Sequence, residues 1–398
     1  MKPGDSLFLS AQALQCINHH HSLFGKIVVD PEQLSDDTIL FVDEARAINL
    51  PDGIVPHGII LSQRVLHLKE LLECNVCPVI TVKEDCVFTA GDIVSISPKG
   101  RIQREFRVAS QNNALLVTET CNNLCIMCPQ PPKPEDKSTY VQAEAKIQRI
   151  ISLIDERDIP LSLCITGGEP TMLREGLIRL VGGIAEKMPE TLIHLLSNGR
   201  YLYYENYTAR LAAAAKGNML IGIPLFAHVS DIHDYVVQSK GAFEQTMAGL
   251  LNCYKYGIPV ELRVVLNKAT VPHLLALSQF IAKNLFFVKH VALMGMENMG
   301  FAKLNRAEVF IDPWDYRDVL SAAVRTLKLY DIDTRIFNLP LCIVNSDAHE
   351  FCAQSISDFK RIYYDACREC VKQEVCCGFF SSSTDKYYLT QHATPYLA

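Results

Sequence analysis

Short apolar runs alternate with amphipathic stretches through the middle of the chain, from about residue 112 to residue 338. The runs have the length of buried strands, whereas the stretches between them repeat apolar residues at helical spacing. Seven strands are predicted, in chain order ALLVTE (114–119), LSLCIT (161–166), LIHLLS (192–197), MLIGIPLF (219–226), PVELRVVL (259–266), VKHVALMG (288–295) and TRIFNL (334–339). Repeated strand-helix units predict a parallel sheet with helices packed outside it, either a barrel-like arc or an open doubly wound sheet. In either case the functional site is expected at the carboxyl ends of the strands.

The helices between these strands are predicted from apolar residues that share one helical face. One such stripe consists of Ile147, Ile150, Ile151 and Ile154, and another of Phe243, Met247, Leu250 and Leu251.

The two ends of the chain lack this rhythm. Residues 1–110 contain shorter strand-like runs and predict a β-rich accessory domain. These runs are KIVV (26–29), ILFV (39–42) and DIVSIS (92–97). Residues 340–398 contain six cysteines and predict a small module held together by metal. The alternating part between them, residues 111–339, is then the core.

Composition narrows the function classes. A 398-residue chain with 49% hydrophobic and 21% charged residues is typical of a folded globular protein. Its formal net charge of -6 provides no overall attraction to nucleic acid or anionic lipid, so neither is expected as a partner. No signal-peptide pattern and no bilayer-length apolar run is evident, so we expect a cytoplasmic protein.

Fifteen cysteines are unusual for such a protein, because a reducing compartment disfavours disulfides. The count is odd and the cysteines cluster at short spacings, which favours metal ligation over a disulfide framework.

Three of these cysteines directly follow the first predicted strand, in Cys121-Asn-Asn-Leu-Cys125-Ile-Met-Cys128. Thiolates are the usual protein ligands of iron-sulfur clusters, and three of them leave one iron of a 4Fe-4S cluster open to an exogenous ligand. By their spacing alone, the three cysteines could also form a zinc site or stay unligated.

This C-x3-C-x2-C loop resembles the signature of the radical S-adenosylmethionine (SAM) superfamily. The resemblance implies an α/β fold with a partial (β/α)6 barrel and a 4Fe-4S cluster whose open iron is chelated by SAM. It further implies that an electron cleaves SAM to methionine and a 5′-deoxyadenosyl radical, which removes a hydrogen from the substrate. Met127 stands where the family often has an aromatic residue near the adenine, and methionine can also pack there.

The segment after the second strand resembles the Gly-Gly-Glu-Pro motif with which the family binds the SAM amino group. Its residues are Gly167, Gly168, Glu169 and Pro170. Glycines let the backbone approach a ligand closely, and a carboxylate favours an ammonium group.

Two further positions are assigned to SAM by the same resemblance. Ser197 and Asn198 end the third strand, where family members often contact the SAM ribose or carboxylate, although Asn-Gly is also good turn chemistry. Arg263, in the fifth strand, resembles an arginine that pairs with the SAM carboxylate, and a structural ion pair would explain it equally.

The C-terminal segment contains Cys342 and the run Cys367-x2-Cys370-x5-Cys376, which is enough for a complete cluster or a zinc ion. It resembles the auxiliary-cluster modules that follow many radical SAM cores, especially those acting on peptides, and implies a second 4Fe-4S cluster. Cys376 fits the spacing better than its neighbour Cys377.

Four segments together resemble the radical SAM maturase of the His-Xaa-Ser repeat peptide system. They are CNNLCIMCPQPP, ENMGFAK (297–303), NLPLC (338–342) and SISDFKRIYYDACREC (355–370). The resemblance implies modification of a ribosomally made peptide, with co-encoded maturation proteins and an external electron donor of the flavodoxin or ferredoxin type. The alternatives are a radical SAM enzyme that acts on a small molecule in cofactor biosynthesis, or a non-enzymatic iron-sulfur or zinc scaffold.

Other polar groups are interpreted as structural or left open. Buried thiols are expected at Cys74, Cys77 and Cys86, and one solvated face at Lys99, Arg101, Arg104 and Arg107. A substrate role is considered for His228, Asp231, His233 and Asp234.

Overall fold

The computed structural model describes residues 10–43, 56–65, 77–110, 113–134, 137–356, 360–384 and 386–397. The chain forms two compact units, one of residues 1–115 and 144–164 and the other of residues 116–143 and 165–398. Within the described ranges, each helix is too short or too polar to cross a membrane.

The first unit is built on an eight-stranded mixed sheet. Its strands are β1 (Ser10–Gln12), β2 (Gln15–Ile17), β3 (Leu23–Val28), β4 (Thr38–Val42), β5 (Gly58–Ser62), β6 (Val79–Val82), β7 (Ile93–Ile96) and β8 (Arg101–Phe106). They lie in the order β1-β8-β7-β3-β4-β5-β6-β2. Strands β3 to β6 pair in parallel, and the remaining pairs are antiparallel. The β-rich character predicted for the N-terminal part of the chain is confirmed.

Strands β4 to β6 are buried along their whole length, which explains why they read as unbroken apolar runs. Ile39 and Ile60 pack on one side of the sheet, and Leu40 and Leu61 on the other.

One interpretation in this unit is wrong. Arg104 does not lie on a solvated face, because its side chain is 6% exposed and pairs with the buried Asp92 at 3.7 Å. Its guanidinium also lies over the ring of Phe88. Cys77 and Cys86 are buried thiols as expected, whereas Cys74 lies outside the described residues.

The second sheet has seven strands, one for each strand predicted from the sequence. They are β9 (Asn113–Leu116), β10 (Ser162–Thr166), β11 (Leu192–Leu196), β12 (Met219–Pro224), β13 (Val260–Leu266), β14 (His290–Gly295) and β15 (Thr334–Phe337). The neighbours from β11 to β15 pair in parallel. The predicted α/β fold is confirmed, with seven strands where the resemblance implied six.

The strands of this sheet follow one another in space as they do along the chain. A doubly wound sheet reverses its strand order at one point, whereas an arc of a barrel does not. The order therefore identifies the arc. Right-handed crossovers that all run in one direction place the helices on one face. Residues on that face, such as Leu195, Ile221 and Leu262, are fully buried, while alternate residues such as His194 and Arg263 stay partly exposed.

Nine α-helices occur in the described part of the chain. They are α1 (Lys137–Leu153), α2 (Glu175–Lys187), α3 (Glu205–Ala215), α4 (Ser230–Val237), α5 (Ala242–Lys255), α6 (Leu274–Asn284), α7 (Gly300–Leu304), α8 (Arg306–Val309) and α9 (Pro313–Leu329). Ile147, Ile150 and Ile151 of α1 are buried, as their spacing predicts.

The stripe predicted for α5 is largely wrong. Of its four residues only Leu250 is fully buried, and Leu251 is 52% exposed. Small residues line the buried face instead, because the helix lies directly against the turn after β11. A Cβ atom on Gly249 would lie 2.3 Å from the carbonyl oxygen of Gly199.

The C-terminal segment groups with the second unit. It contains a two-stranded antiparallel sheet, β16 (Arg361–Ile362) and β17 (Phe379–Phe380), and several short 3-10 turns.

Candidate active site

The three cysteines of the predicted cluster motif lie in the loop between β9 and α1, and all three are partly exposed. The backbone N–H of Cys128 donates to the carbonyl of Cys125 at 3.0 Å, which curls the loop. Burial, together with the neighbouring charges, raises the pKa of Cys121 to about 11 and that of Cys125 to about 12. The thiolates would repel one another, so the loop needs a cationic partner to hold all three ionised.

This donor set fits a 4Fe-4S cluster, the group that the resemblance implies. In the described residues, no three Cys, His, Asp or Glu side chains are grouped so that they could hold one metal ion. A cluster does not require such a group, because each of its cysteines binds a different iron atom.

Arg200 clamps the cysteine loop from one side. Its Nη1 donates to the carbonyl of Asn122 and to Oδ1 of Asn123, both at 2.6 Å, and its Nε donates to Gln245 of α5 at 2.7 Å. Its positive charge also acts to lower the pKa of Cys125, against the larger effect of burial. We did not predict this residue. The signal for it is a basic residue directly after the Asn198-Gly199 turn, since a cation near thiolates favours their ionised form.

The segment ENMGFAK clamps the same loop from another side. Gly300 has a φ of +54°, and a Cβ atom there would lie 2.5 Å from the carbonyl oxygen of Cys128. The N–H of Phe301 donates to that carbonyl at 2.8 Å, and Asn305 donates to the carbonyl of Ile126 at 2.8 Å. Positioning the third cysteine therefore explains why this segment contains a glycine.

Met127, predicted to lie near the adenine, is 5% exposed. It packs in a core cluster with Ile126, Phe226 and Val236.

The two glycines of the Gly-Gly-Glu-Pro segment bring the loop after β10 against the loop after β9. A Cβ atom on Gly167 would lie 2.5 Å from the carbonyl oxygen of Thr118, and one on Gly168 would lie 2.1 Å from that of Thr120. The N–H of Gly168 donates to Thr118 at 2.8 Å, and the N–H of Glu169 to Thr120 at 2.7 Å. The close approach that we expected toward a ligand is thus made between two chain segments.

Glu169 joins this loop to the turn after β11. Its buried carboxylate accepts hydrogen bonds through Oε1 from the N–H and the hydroxyl of Thr171, at 3.0 and 2.6 Å, and from Ser197 at 2.7 Å. Its Oε2 accepts from the N–H of Asn198 at 2.6 Å. Burial raises the pKa of Glu169, and these hydrogen bonds act in the opposite direction. Pro170 begins the 3-10 turn that follows.

Asn198 extends this connection to the cysteine loop. Its Nδ2 donates to Oδ1 of Asn122 at 2.7 Å and lies 3.9 Å from the sulfur of Cys121. The structure therefore gathers the residues predicted to bind cluster and SAM at the carboxyl ends of β9, β10 and β11.

Arg263 lies apart from this group. It is three residues before the end of β13, where its Nε pairs with Glu261 at 3.3 Å and its Nη2 contacts the sulfur of Met294 at 3.4 Å. The structural ion pair that we considered as an alternative is present.

The four polar residues considered for a substrate role follow β12, with His228 in the loop and Asp231, His233 and Asp234 in helix α4. His233 is buried, its Nδ1 accepts from the N–H of Phe226 at 3.3 Å, and burial lowers its pKa to about 4. Asp234 accepts from the N–H groups of Gly241 and Phe243 at the start of α5. Both side chains thus have structural partners. Asp231 is exposed, and His228 stays partly exposed with its ring centroid 6.1 Å from that of His273.

The four cysteines predicted for a second cluster line one cavity of the C-terminal segment. Aromatic rings surround them, so the wall of the cavity is largely apolar. The lining includes Cys342, Cys367, Cys370, Cys376, Tyr363, Tyr364, Phe379 and Tyr396.

Cys376 and Cys377 differ sharply in their surroundings. The sulfur of Cys376 accepts from the N–H groups of Leu341 and Gly378, both at 3.5 Å. A hydrogen bond from Cys377 and these N–H groups lower the pKa of Cys376 to about 6. Cys377 is buried behind the cavity wall, and its pKa is raised by the same hydrogen bond and by burial. Cys352, another cysteine of the C-terminal segment, is absent from the cavity lining.

Residues 115–280 match the family model of the Radical SAM superfamily. The Fe-coproporphyrin III synthase of Methanosarcina barkeri strain Fusaro is 31% identical over 160 residues, which are 39% of this chain and 37% of that protein. SuiB of Streptococcus suis is similar in structure with a TM-score of 0.46 and 15% identity, over 67% of this chain and 57% of that one. The protein anSMEcpe, solved with bound AdoMet and Cp18Cys peptide, has a TM-score of 0.48 and 15% identity, over 72% of this chain and 92% of that one.

Proposed function

We propose that this protein is a radical SAM enzyme, which would hold a 4Fe-4S cluster and SAM, and that it modifies a ribosomally made peptide with His-Xaa-Ser repeats in the cytoplasm. The match of residues 115–280 to the Radical SAM family model supports the first part of this proposal. The observation that carries the radical chemistry is the chain of contacts from Glu169 through Asn198 to Cys121. It joins, at one edge of the sheet, the segments that the resemblance assigns to the cluster and to SAM.

In this proposal each segment has a separate task. The cluster is held by Cys121, Cys125 and Cys128, and SAM is bound by Met127, Gly167, Gly168, Glu169, Pro170, Ser197 and Asn198. A 4Fe-4S cluster held by these cysteines would supply the electron for reductive cleavage of SAM to methionine and a 5′-deoxyadenosyl radical, and this radical would remove a hydrogen atom from the substrate. An external donor of the flavodoxin or ferredoxin type supplies the electron.

The residues of the chain orient these groups. Arg200 fixes the first turn of the cysteine loop through Asn122 and Asn123, and Gly300 and Phe301 fix its end at Cys128. Both clamps consist of short hydrogen bonds to backbone or amide oxygens. They hold three thiolates in one geometry, which precise positioning of a reactive group requires.

A second 4Fe-4S cluster is proposed in the cavity lined by Cys342, Cys367, Cys370 and Cys376. The support is that these four thiols share one cavity with an apolar wall, and that Cys376 already has donors for an ionised sulfur. The cluster would take up an electron from the substrate radical, ligate the substrate or hold the module together. A structural zinc ion is the alternative that the sequence left open, but the described residues contain no group of three side chains placed to hold one such ion.

The peptide substrate is supported by the resemblance to the His-Xaa-Ser maturase. One of the segments that carry it, residues 297–303, holds the cysteine loop, and another, residues 355–370, contains Cys367 and Cys370. These segments thus belong to the two cysteine sites. Co-encoded maturation proteins are the expected partners.

A second candidate function is a radical reaction on a small molecule in cofactor biosynthesis. It is favoured by the 31% identity over 160 residues to an Fe-coproporphyrin III synthase. Because this match spans only 37% of that protein, its activity is carried here as the alternative.

The two candidates are separated by anaerobic assays of the reconstituted enzyme with SAM and a reductant. One arm contains a synthetic His-Xaa-Ser repeat peptide, a second the same peptide with His and Ser replaced by Ala, and a third a tetrapyrrole carboxylate. We expect the first peptide alone to stimulate 5′-deoxyadenosine formation and to change in mass. Stimulation by the tetrapyrrole alone would exclude the peptide function and favour the second candidate.

A further inference from the structure

The partly exposed face of the seven-stranded sheet carries a cluster of four ionisable side chains. They are His194 on β11, Glu261 and Arg263 on β13, and His290 on β14. Glu261 is the centre, because its carboxylate lies 2.9 Å from His290, 3.3 Å from Arg263 and 3.7 Å from His194.

Strand β12 passes between these side chains and makes room for them at Gly222. A Cβ atom on Gly222 would lie 2.8 Å from Leu196, 3.1 Å from Cδ of Arg263 and 3.3 Å from Nε2 of His194. The φ angle of Gly222 is not positive, so its backbone does not demand glycine. Glycine is required at this position because the side chains of His194 and Arg263 occupy the space over β12 that a Cβ atom would need.

The charges within the cluster leave hydrogen-bond donors without strong acceptors. Burial raises the pKa of Glu261, but the hydrogen bond from His290 and the charge of Arg263 outweigh it and bring this pKa below its ordinary value. One carboxylate therefore balances one guanidinium. Nη2 of Arg263 meets the thioether of Met294, a weak acceptor. Nε2 of His194 is buried without a hydrogen-bond partner.

The contact of Arg263 with Met294 lies on the side of the cluster that faces the cysteine edge, whereas His194 lies on the far side, because Leu196, two residues closer to the edge than His194, is level with Gly222 and Glu261. Met294 is paired in register with Val265, two residues closer to that edge than Arg263. With about 3.3 Å per residue, Arg263 lies roughly 10 Å below the end of β13. A ligand that reaches from the edge along this face meets Nη2 of Arg263 before it meets His194.

We infer that His194, Glu261, Arg263 and His290 form a binding site for a carboxylate of the substrate, with Arg263 as the anchor and Glu261 as the residue that orients it. A guanidinium fork matches a carboxylate and binds it in a fixed direction. The substrate class is one in which a carboxylate lies roughly 10 Å from the reacting carbon. The inference rests on the proposed function and assigns Arg263 to the substrate, where the resemblance assigned it to SAM.

A carboxylate can come from an acidic peptide or from a small carboxylic acid, and two pairs of probes separate these sources. One pair is coproporphyrin III and its tetramethyl ester. The other is an acidic His-Xaa-Ser peptide and the same peptide with its carboxylates amidated. Affinities are measured on the reconstituted full chain, without reductant.

For wild type we expect the acid member of one pair to bind about 10- to 100-fold more tightly than its neutral partner, the effect of one hydrogen-bonded charge. Arg263→Met should remove this preference, and Arg263→Lys should retain part of it. The matched control is Arg335→Met on β15, whose exposed side chain lies 3.7 Å from Asp333 and which should change neither pair.

Equal binding of acid and neutral probes to wild type would overturn the inference without any variant. Weaker SAM binding by Arg263→Met with an unchanged preference for acid would also overturn it and return Arg263 to SAM. If wild type binds the acid probe selectively and yet never cleaves SAM, the proposed function fails while the carboxylate site stands.

Discussion

Arg200, in the turn after β11, connects the cysteine loop to helix α5. It satisfies Asn122, Asn123 and Gln245 with three hydrogen bonds of 2.6 to 2.7 Å. A guanidinium in this place binds three acceptors at once, which a shorter or neutral side chain does not. We class Arg200 as a positioning residue, because it acts through the loop and not on the reacting atoms.

Replacing Arg200 by Met should loosen the cluster. Loss of the charged hydrogen bonds costs about 2 kcal/mol, so iron should leave to a chelator up to about 30-fold faster. The readouts are the rate of iron loss and the electron paramagnetic resonance spectrum of the reduced cluster, which a merely structural defect elsewhere would leave unchanged.

The control is Arg210→Met, which removes an exposed ion pair with Glu175 on the neighbouring helices and should leave both readouts as in wild type. Equal rates of iron loss for Arg200→Met and wild type would show that Arg200 does not hold the loop.

At the scale of elements, helix α5 illustrates what an apolar pattern misses. The rule that large apolar residues face the core selected Phe243, Met247 and Leu251, but the helix approaches the turn at Gly199 too closely for them. Two backbones that pack closely are brought together only in the folded chain, and the only sign of this packing in the sequence is a small residue at the contact. In helix α5 that residue is Gly249.

Gly249→Ala tests this packing against a second glycine in a helix. The new methyl would overlap the carbonyl of Gly199 and should lower the free energy of unfolding by about 1–3 kcal/mol. Gly183→Ala in α2 meets no atom within 4 Å and should raise it by up to about 1 kcal/mol. Both values follow from denaturant unfolding, and effects of the same sign at the two sites would contradict the packing described here.

The strands were predictable because each is a buried run with a fixed rhythm, and all seven occur where the sequence indicates. That four C-terminal cysteines share one cavity was predictable from their spacing. The role of Gly167 and Gly168 was not, because a glycine pair signals close approach without saying what approaches. The roles of Arg104 and Arg200 were not predicted either, because the residues that pair with them, Asp92 and Gln245, are distant from them in the sequence.

The C-terminal module allows a direct comparison of adjacent cysteines. Cys376 lines the cavity, whereas Cys377 lies behind it and donates to its sulfur. The test uses a parent chain without the first cluster site, made by Cys121→Ala, Cys125→Ala and Cys128→Ala. This parent should contain about four iron atoms per chain, those of the second cluster. Adding Cys376→Ser should remove most of them. Cys377→Ser should keep them, with a shifted reduction potential because one hydrogen bond to sulfur changes.

Iron and sulfide analysis with a potential titration checks both variants. Zinc in place of iron in the parent chain would reject the second cluster, and equal loss from both serines would reject the distinction between the two cysteines.

At the scale of the whole molecule, the family match supports the first cluster site and the SAM site, but not the C-terminal cysteine site. The match, residues 115–280, contains the cysteine loop, the Gly-Gly-Glu-Pro segment, the turn at Asn198 and Arg263. It ends before the C-terminal cysteines, so the second cluster rests on the shared cavity and on sequence resemblance. The unit of residues 1–115 and 144–164 has an eight-stranded sheet to which we assign no reaction.

The central claim is that the cysteine loop supports reductive cleavage of SAM. The direct measurement is anaerobic: the reconstituted chain is mixed with SAM, dithionite and the His-Xaa-Ser peptide, and 5′-deoxyadenosine and methionine are quantified. Wild type should form 5′-deoxyadenosine and methionine in a 1:1 ratio. The control Cys16→Ala, which loses an exposed thiol, should do the same. The chain with Cys121, Cys125 and Cys128 changed to Ala should form neither. Absence of both products from wild type that carries its full iron and sulfide, or equal yields with and without the three cysteines, would contradict the account.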